Sequence, residues 1–117
     1  MSHTHIQLTG GITITHAWVP TLLASLAAIG ESHDSLEAYL EAQFAQESYE
    51  DEWPDETGFQ DDGWIVTLTP KITYDCGVVE SILRNDEALQ TLMRYSHGNL
   101  ELFHLDDGDW THRELRW

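Results

Sequence analysis

The chain has 117 residues, with 21 Asp and Glu against five Lys and Arg, and its formal net charge is −16 at pH 7. This length fits one domain with one core, and 41% apolar residues, including five Trp, indicate a folded chain rather than a disordered one. So negative a chain is repelled by nucleic acid and by anionic membranes, which argues against both as ligands and favours a basic protein partner.

The charge is distributed unevenly along the sequence. Lys71 is the first base, and all twelve acids that precede it lie between Glu31 and Asp62, so this part of the chain carries −12. Residues 71–117 hold nine acids and all five bases, which leaves −4. No signal peptide is predicted, and the longest apolar-rich run, residues 17–29, is shorter than the roughly 20 residues of a membrane span. We therefore expect a soluble, cytoplasmic protein, located in the host cytoplasm if a phage encodes it.

The N-terminal residues are predicted to form a β-hairpin. Apolar and polar residues alternate, as in half-buried strands, and the apolar positions are Ile6, Leu8, Ile12 and Ile14. Gly10-Gly11 interrupts this pattern, and a loop at residues 9–11 would place Leu8 opposite Ile12 on one apolar face. One long strand with a glycine bulge fits almost as well, so the hairpin is only slightly favoured.

Two helices are predicted next. Pro20 fits the first turn of a helix and Gly30 its left-handed end, and the absence of charge predicts that this helix is buried on most sides. A second helix is predicted to begin with Asp34 as its N-cap and Glu37 three residues later. Its buried face is predicted to contain Leu36, Tyr39, Leu40 and Phe44, and its outer face Glu37 and Glu41.

Residues 64–69 are predicted to form a strand, and Pro70 indicates an edge or a bulge before residues 71–74. Helical spacing follows over residues 78–93, with Gly98 as its predicted end. Asn85-Asp86 is an alternative cap that would divide this stretch into two helices.

The chain is predicted to end in a β-hairpin over residues 100–117. Its turn is centred on Asp107-Gly108, a pattern typical of type I′ turns. This turn pairs Leu105 with Trp110, Phe103 with His112, and Leu100 with Leu115. The predicted fold is a single α+β domain (1–117): a small antiparallel sheet, formed by the N-terminal and C-terminal hairpins and a central strand, with about three helices on one face.

Residues 47–62, here called the acidic segment, contain eight acids among sixteen residues. Three aromatic residues, Tyr49, Trp53 and Phe59, are interspersed with these acids, whereas Pro54 and Gly58 prevent a continuous helix. The segment is predicted to be a loop. Like charges at this density are unfavourable, and Glu37 and Glu41 alone repel each other by about 0.2–0.5 kcal/mol on one helix face. Their retention indicates a partner of opposite charge.

An array of carboxylates can imitate the charges of duplex DNA and enter the basic groove of a DNA-binding protein, with aromatic side chains as anchors. Phage and mobile-element inhibitors of restriction or CRISPR effectors (anti-restriction and anti-CRISPR proteins) work in this way, although no sequence motif places the chain in such a family. We therefore expect an acidic, non-enzymatic inhibitor of a nucleic-acid-binding protein, with Trp53 as its principal anchor. The predicted contact surface comprises Glu37, Glu41, Glu47, Glu50, Asp51, Glu52, Trp53, Asp55, Glu56, Asp61 and Asp62, and extends to Asp106, Asp107 and Asp109 if the last turn lies alongside.

Two alternatives remain open at this point. An immunity protein or antitoxin that masks a basic toxin would use the same acids and aromatic anchors. A generic acidic or halophilic domain is the second alternative, although halophilic adaptation should spread acids over the whole surface, and residues 1–30 have none. A monomer and a homodimer are both compatible with the sequence.

The sequence contains no motif for catalysis, and no catalytic residue, cofactor or metal site is predicted. No phosphate-binding loop, nucleophile elbow or dinucleotide signature is present. The seven histidines lack a recognised zinc spacing, His97 is predicted to lie at a helix end, and the acidic turns do not fit a calcium loop. Cys76 is the only cysteine, which excludes an internal disulfide, and its acidic neighbours predict a raised thiol pKa and a structural role.

Overall fold

The computed structural model describes residues 4–44 and 57–117 and confirms the α+β class. The described helices number four rather than about three, because the alternative cap at Asp86 divides the predicted third helix. The strands are β1 (Thr4–Thr15), β2 (Gly58–Asp61), β3 (Ile65–Thr69), β4 (Lys71–Ile72), β5 (His97–Asp106) and β6 (Asp109–Arg116). The helices are α1 (Val19–Ala28), α2 (Leu36–Phe44), α3 (Gly77–Arg84) and α4 (Glu87–Arg94), and a short 3-10 helix covers His16–Trp18.

The six described strands form one antiparallel sheet in the order β2-β3-β1-β5-β6, with β4 also paired to β1. On one side of β1, its first half pairs with β4 and its second half with β3, while β5 pairs along the other side. The inward-facing residues of β1 form the centre of the core: Ile6, Leu8, Ile12 and Ile14. Buried residues of all four helices belong to the same core, so the helices cover one face of the sheet.

The predicted N-terminal hairpin is wrong, because residues 4–15 form one continuous strand. Leu8 lies opposite Leu102 of β5, and Ile12 lies opposite Leu68 of β3, so the two apolar residues are not partners of each other. Gly10 does not reverse the chain but lets β1 and β5 approach closely. A Cβ atom at this position would lie 2.1 Å from the carbonyl oxygen of Asn99.

The first helix is less buried than its lack of charge predicts. Only Leu22 and Leu26 of α1 are buried, and Ile29, just after the helix, is exposed. Most of the remaining positions are Ala, Ser or Thr, which tolerate solvent, so absence of charge is not evidence of burial here. The left-handed end at Gly30 is confirmed, with φ +92° and a hydrogen bond from its N–H to the carbonyl of Ala27.

The N-cap of α2 is Ser35 and not Asp34. The backbone N–H of Ala38 donates to Ser35 Oγ at 3.1 Å, which is the bond that an N-cap side chain accepts from the third helical residue. This cap places Glu37 on the exposed side of the helix. The predicted buried face is confirmed: Leu36, Tyr39, Leu40 and Phe44.

The division between α3 and α4 rests on two adjacent residues. Asn85 adopts a left-handed conformation with φ 51°, and Asp86 caps α4 by accepting a hydrogen bond from the N–H of Leu89 at 3.0 Å. Because α4 ends at Arg94, the predicted helix end at Gly98 is wrong. His97 and Gly98 instead begin β5, so His97 does not lie at a helix terminus as predicted.

The C-terminal hairpin matches its prediction. Asp107 and Gly108 both have positive φ, 50° and 88°, as a type I′ turn requires. The predicted pairs all occur: Leu105 with Trp110, Phe103 with His112, and Leu100 with Leu115.

In the described parts of the chain, no helix is both long enough and apolar enough to cross a membrane.

Candidate protein-binding surface

The turn between β2 and β3 is fixed by the side chains of two aspartates. Asp61 Oδ1 accepts a hydrogen bond from the N–H of Gly63 at 2.9 Å. Asp62 Oδ1 accepts from the N–H groups of Trp64 and Ile65, both at 2.8 Å. Gly63 adopts φ +88°, a conformation that glycine reaches without steric cost. The Asp-Asp-Gly sequence thus forms a turn whose backbone is held at several points.

Trp64 is the most exposed large apolar residue that the structure describes. Its side chain is 80% exposed, and the neighbouring Ile65 is 40% exposed. The Trp64 backbone is nevertheless fixed on both sides, because its N–H donates to Asp62 and its carbonyl accepts from the N–H of His16 at 2.9 Å. The sheet therefore presents an indole to solvent from a rigid position. We call Asp61, Asp62, Trp64 and Ile65 the turn surface.

Both aspartates of the turn surface carry negative charge over a wide pH range. Hydrogen bonds from the His16 ring and from the Gly63 N–H lower the pKa of Asp61. Hydrogen bonds from the Ile65 and Trp64 N–H groups lower the pKa of Asp62. His16 Nε2 lies 2.6 Å from Asp61 Oδ1, which ties the 3-10 helix after β1 to the turn. The turn is therefore an ionised, pre-formed site beside an exposed indole.

The lowered pKa of Asp61 makes the stability of the fold depend on pH. Because the carboxylate is favoured in the folded state, its contribution is present above the unfolded pKa of about 4 and is lost as the pH falls through the folded value. Asp61→Asn should therefore reduce the loss of stability on acidification. Urea unfolding of both proteins from pH 7 to pH 3 measures the difference, with Glu37→Gln as the control for removing one negative charge. Equal pH dependence in the wild type and Asp61→Asn would contradict the assignment.

The other predicted contact residues divide between described and undescribed parts of the chain. Glu37 is exposed and Glu41 is partly buried, and both lie on α2 in the helix layer. Asp61 and Asp62 lie together in the β2–β3 turn of the sheet. The following residues lie outside the described part of the chain: Glu47, Glu50, Asp51, Glu52, Trp53, Asp55 and Glu56. The structure therefore places the described candidates on two elements, which the undescribed residues connect in sequence.

The last turn does not lie alongside the β2–β3 turn, which is the described end of the acidic segment. Thr4 at the start of β1 pairs with Asp106, whereas Thr15 at its end pairs with Ile65. The turn containing Asp106, Asp107 and Asp109 is therefore separated from the turn surface by the length of β1, roughly 36 Å for twelve residues. Residues 47–56 lie outside the described part of the chain, so the extension of the contact surface to these three aspartates stays a prediction. They form a second acidic site at the opposite end of the sheet.

Three potential metal ligands converge on the face of the sheet opposite the helices. One ligand atom each of Glu101, His112 and Glu114 lies within 4.8 Å of the others. Glu101 and Glu114 are directly opposed across β5 and β6, a like-charge pair that is unfavourable by itself. Arg116 contacts Glu114 at 2.7 Å and offsets part of the repulsion, and the His112 ring lies 3.8 Å from Glu101. We assign the group to cross-strand ion pairing.

Cys76 is buried at the start of α3, as expected for a structural thiol. Burial, rather than the acidic neighbours, is the main cause that raises its thiol pKa, from 9.0 to about 11. About 100-fold less thiolate is then present at neutral pH than for an unperturbed cysteine.

Iodoacetamide should therefore modify Cys76 of the native protein slowly and of the urea-unfolded protein rapidly, as followed by mass spectrometry. Rapid native modification would contradict the burial.

The described acids are not confined to the acidic segment. They occupy the exposed side of α2, the β2–β3 turn, the first turns of α3 and α4, and the β5–β6 hairpin. Of these places, only the β2–β3 turn combines two aspartates of lowered pKa with a large exposed aromatic residue.

No protein-family model, curated protein or solved structure matches the chain.

Proposed function

We propose that this chain is a non-enzymatic binding protein that inhibits a basic, nucleic-acid-binding protein by DNA mimicry. Inhibitors of restriction or CRISPR effectors encoded by phages and mobile elements are the class that best fits this activity. The observation that carries the proposal is the turn surface, where a rigid backbone presents the exposed indole of Trp64 beside two carboxylates of lowered pKa.

Trp64 has the properties of an interface anchor. Tryptophan is among the residues that contribute most to binding, and an anchor that is already held in place loses little conformational entropy when it binds. An indole that is 80% exposed in the free protein has most of its apolar surface still to bury. The adjacent Asp61 and Asp62 would attract and orient a basic partner around this anchor.

The charge density of the chain supports imitation of DNA rather than simple solubility. The described residues hold 15 acids and five bases, a net charge of −10; set against the roughly 36 Å length of β1, this is one charge per about 3.6 Å. Duplex DNA carries one charge per roughly 1.7 Å of its axis, so the described residues alone reach about half of that density, and the six acids at 47–56 add to the net charge of the chain. A basic groove that accommodates DNA would therefore meet a comparable field on this chain.

The same turn surface also supports the alternative of an immunity protein or antitoxin. A single exposed Trp64 suits a tailored pocket on one toxin, whereas a nucleic-acid groove needs no pocket of this kind. Competition separates the two functions: duplex DNA should displace a mimic from its partner but should leave an immunity protein bound to a toxin whose nucleic-acid site lies elsewhere.

The test begins with affinity capture from host lysate at low ionic strength and identification of the bound protein. Under DNA mimicry, the isolated partner should bind the chain and DNA competitively, and its affinity for the chain should fall steeply between 50 and 200 mM salt, on the order of the loss seen for DNA itself. Failure of DNA to compete would reject mimicry. Stability that collapses below molar salt, without any captured partner, would support the halophilic alternative.

Charge reversal locates the contact. The triple variant Glu50→Lys, Asp51→Lys, Glu52→Lys should abolish inhibition while preserving the fold. The matched control reverses Asp106, Asp109 and Glu114 to Lys in the β5–β6 hairpin, which gives the same net charge. Unchanged inhibition by the first variant, or equal loss in both, would count against the acidic segment as the contact.

A further inference from the structure

A cavity of about 270 Å³ lies where the end of β1, the 3-10 helix, the end of α4 and the start of β5 meet. None of the acids that the structure describes lines this cavity, although 21 of the 117 residues in the sequence are Asp or Glu. The lining includes one permanent cation, Arg94, and the imidazole of His97. The cavity thus differs in charge from the rest of the molecule.

Arg94 is not neutralised by a described acid. Arg84 contacts Glu80 at 3.6 Å, and Arg116 contacts Glu114 at 2.7 Å, but no carboxylate of the described residues lies within ion-pair distance of Arg94. A guanidinium offers five N–H donors in a planar arrangement that matches a carboxylate or a phosphate. Because Arg94 lines a cavity and has no acidic partner among the described residues, its guanidinium is available to an external anion.

The other polar groups of the cavity add hydrogen-bond donors. Ser25 Oγ donates to the Tyr95 hydroxyl oxygen at 3.3 Å, which holds the Tyr95 ring that lines the cavity. Thr13 lies opposite His97 in the β1–β5 pair, so a threonine hydroxyl and an imidazole are adjacent on the wall.

Aromatic rings and a rigid base complete the cavity. Trp18 is 53% exposed, and its ring lies 5.9 Å from that of Tyr95 at 38°, which provides a flat apolar wall. Ser96, at the base, is buried and fixed because its hydroxyl donates to the Leu92 carbonyl and accepts from Trp117 Nε1 at 2.9 Å. The base therefore does not need to rearrange to admit a ligand.

Two local features restrict where an anion can bind. A second cavity, of about 340 Å³, also borders Arg94, but Glu87 lines it and would repel an anion. The carboxyl end of α4 is also unfavourable for negative charge. This effect is reduced at the cavity, because the Leu92 carbonyl oxygen already accepts hydrogen bonds from the Tyr95 N–H and the Ser96 hydroxyl. The cavity without an acid is therefore the better anion site.

We propose that this cavity binds a small organic anion, in which a carboxylate or phosphate contacts Arg94 and an attached planar ring packs against Trp18. The volume lies just below the roughly 300–1,000 Å³ of common ligand pockets, which limits the ligand to about one ring. Binding should be weak, in the millimolar range, because the field of the whole chain repels anions. The site shares no lining residue with the turn surface and differs from it in charge, although Thr15, which lines the cavity, pairs with Ile65 of that surface.

The experiment titrates benzoate, phenyl phosphate and neutral benzamide into the full chain, followed by two-dimensional NMR of backbone and indole N–H groups. The two anions should give saturable shifts at Trp18 and Tyr95, and benzamide should give none. Arg94→Gln should weaken anion binding by about tenfold or more, whereas Arg84→Gln, which removes an equal charge from another helix, should leave it unchanged. Trp18→Ala should abolish the preference for benzoate over acetate.

Both variants should remain folded because Arg94 and Trp18 are exposed. Circular dichroism of each variant checks this. Saturation by benzoate alone or by phenyl phosphate alone would support the proposal and identify the anionic group. Absence of saturable shifts with both anions, equal binding of benzamide, or unchanged affinity in Arg94→Gln would each overturn it.

Discussion

Replacing Trp64 with alanine is expected to weaken binding of the basic partner by about 30-fold or more, without measurable loss of stability. An interface anchor of this type contributes about 2 kcal/mol or more, which corresponds to this change in affinity. The indole is 80% exposed in the free protein, so its removal takes little buried surface from the fold. Calorimetric titration against the captured partner measures the affinity, and urea unfolding measures the stability.

Trp110→Ala provides a matched control for this variant. Trp110 is also largely exposed, at 61%, but lies beside the β5–β6 turn at the opposite end of β1. Its replacement removes an equally large aromatic surface and should leave affinity unchanged. If Trp110→Ala weakens binding as much as Trp64→Ala does, or if Trp64→Ala has no effect, then the turn surface is not the anchor.

Replacing Gly98 with alanine is expected to lower the free energy of unfolding by about 3 kcal/mol or more. A Cβ atom at this position would lie 2.4 Å from the carbonyl oxygen of Gly11 and 3.0 Å from the Cα of Ile12. Both atoms belong to the backbone of β1, which is paired on both sides and cannot move away without disturbing two strand pairings. The expected result is a fold that unfolds at a much lower urea concentration.

Gly11→Ala is the control, because the two glycines lie in adjacent strands and neither has a positive φ. The nearest atom to a Cβ at Gly11 is the Leu68 carbonyl oxygen, at an ordinary 3.9 Å. Urea unfolding of both variants should show a large loss only for Gly98→Ala. Similar losses in the two variants would show that glycine acts here through chain entropy rather than through close approach of the strands.

The sequence predicts those parts of the fold in which local and long-range preferences agree. The C-terminal hairpin is such a case: alternation and an Asp-Gly turn both specify the observed pairing of Phe103 with His112. At Gly10-Gly11, in contrast, a turn and a close strand contact require the same residue type. Only the partner strand β5, about 90 residues later in the chain, decides between them. Similarly, the small uncharged residues of α1 are compatible with either solvent or core.

The candidate site was only partly predictable for a related reason. Charge counting identifies the acids but not the anchor, because exposure depends on the position of a side chain in the completed sheet. Trp64 follows an Asp-Asp-Gly turn and directly precedes strand β3, a pattern that is equally typical of a core tryptophan. The expected anchor, Trp53, lies outside the described residues, and the turn surface depends on His16, which is far away in sequence.

The central position of β1 has a consequence for synthesis of the protein. Its neighbours on one side are residues 65–72, and on the other side residues 97–106, so Thr4 pairs with a residue about a hundred positions later. While the ribosome is producing the first half of the chain, an apolar strand is present with no strand to pair with. The nascent protein therefore cannot complete its sheet until residues 97–116 have been synthesised, and until then one side of β1 lacks the strand that covers it.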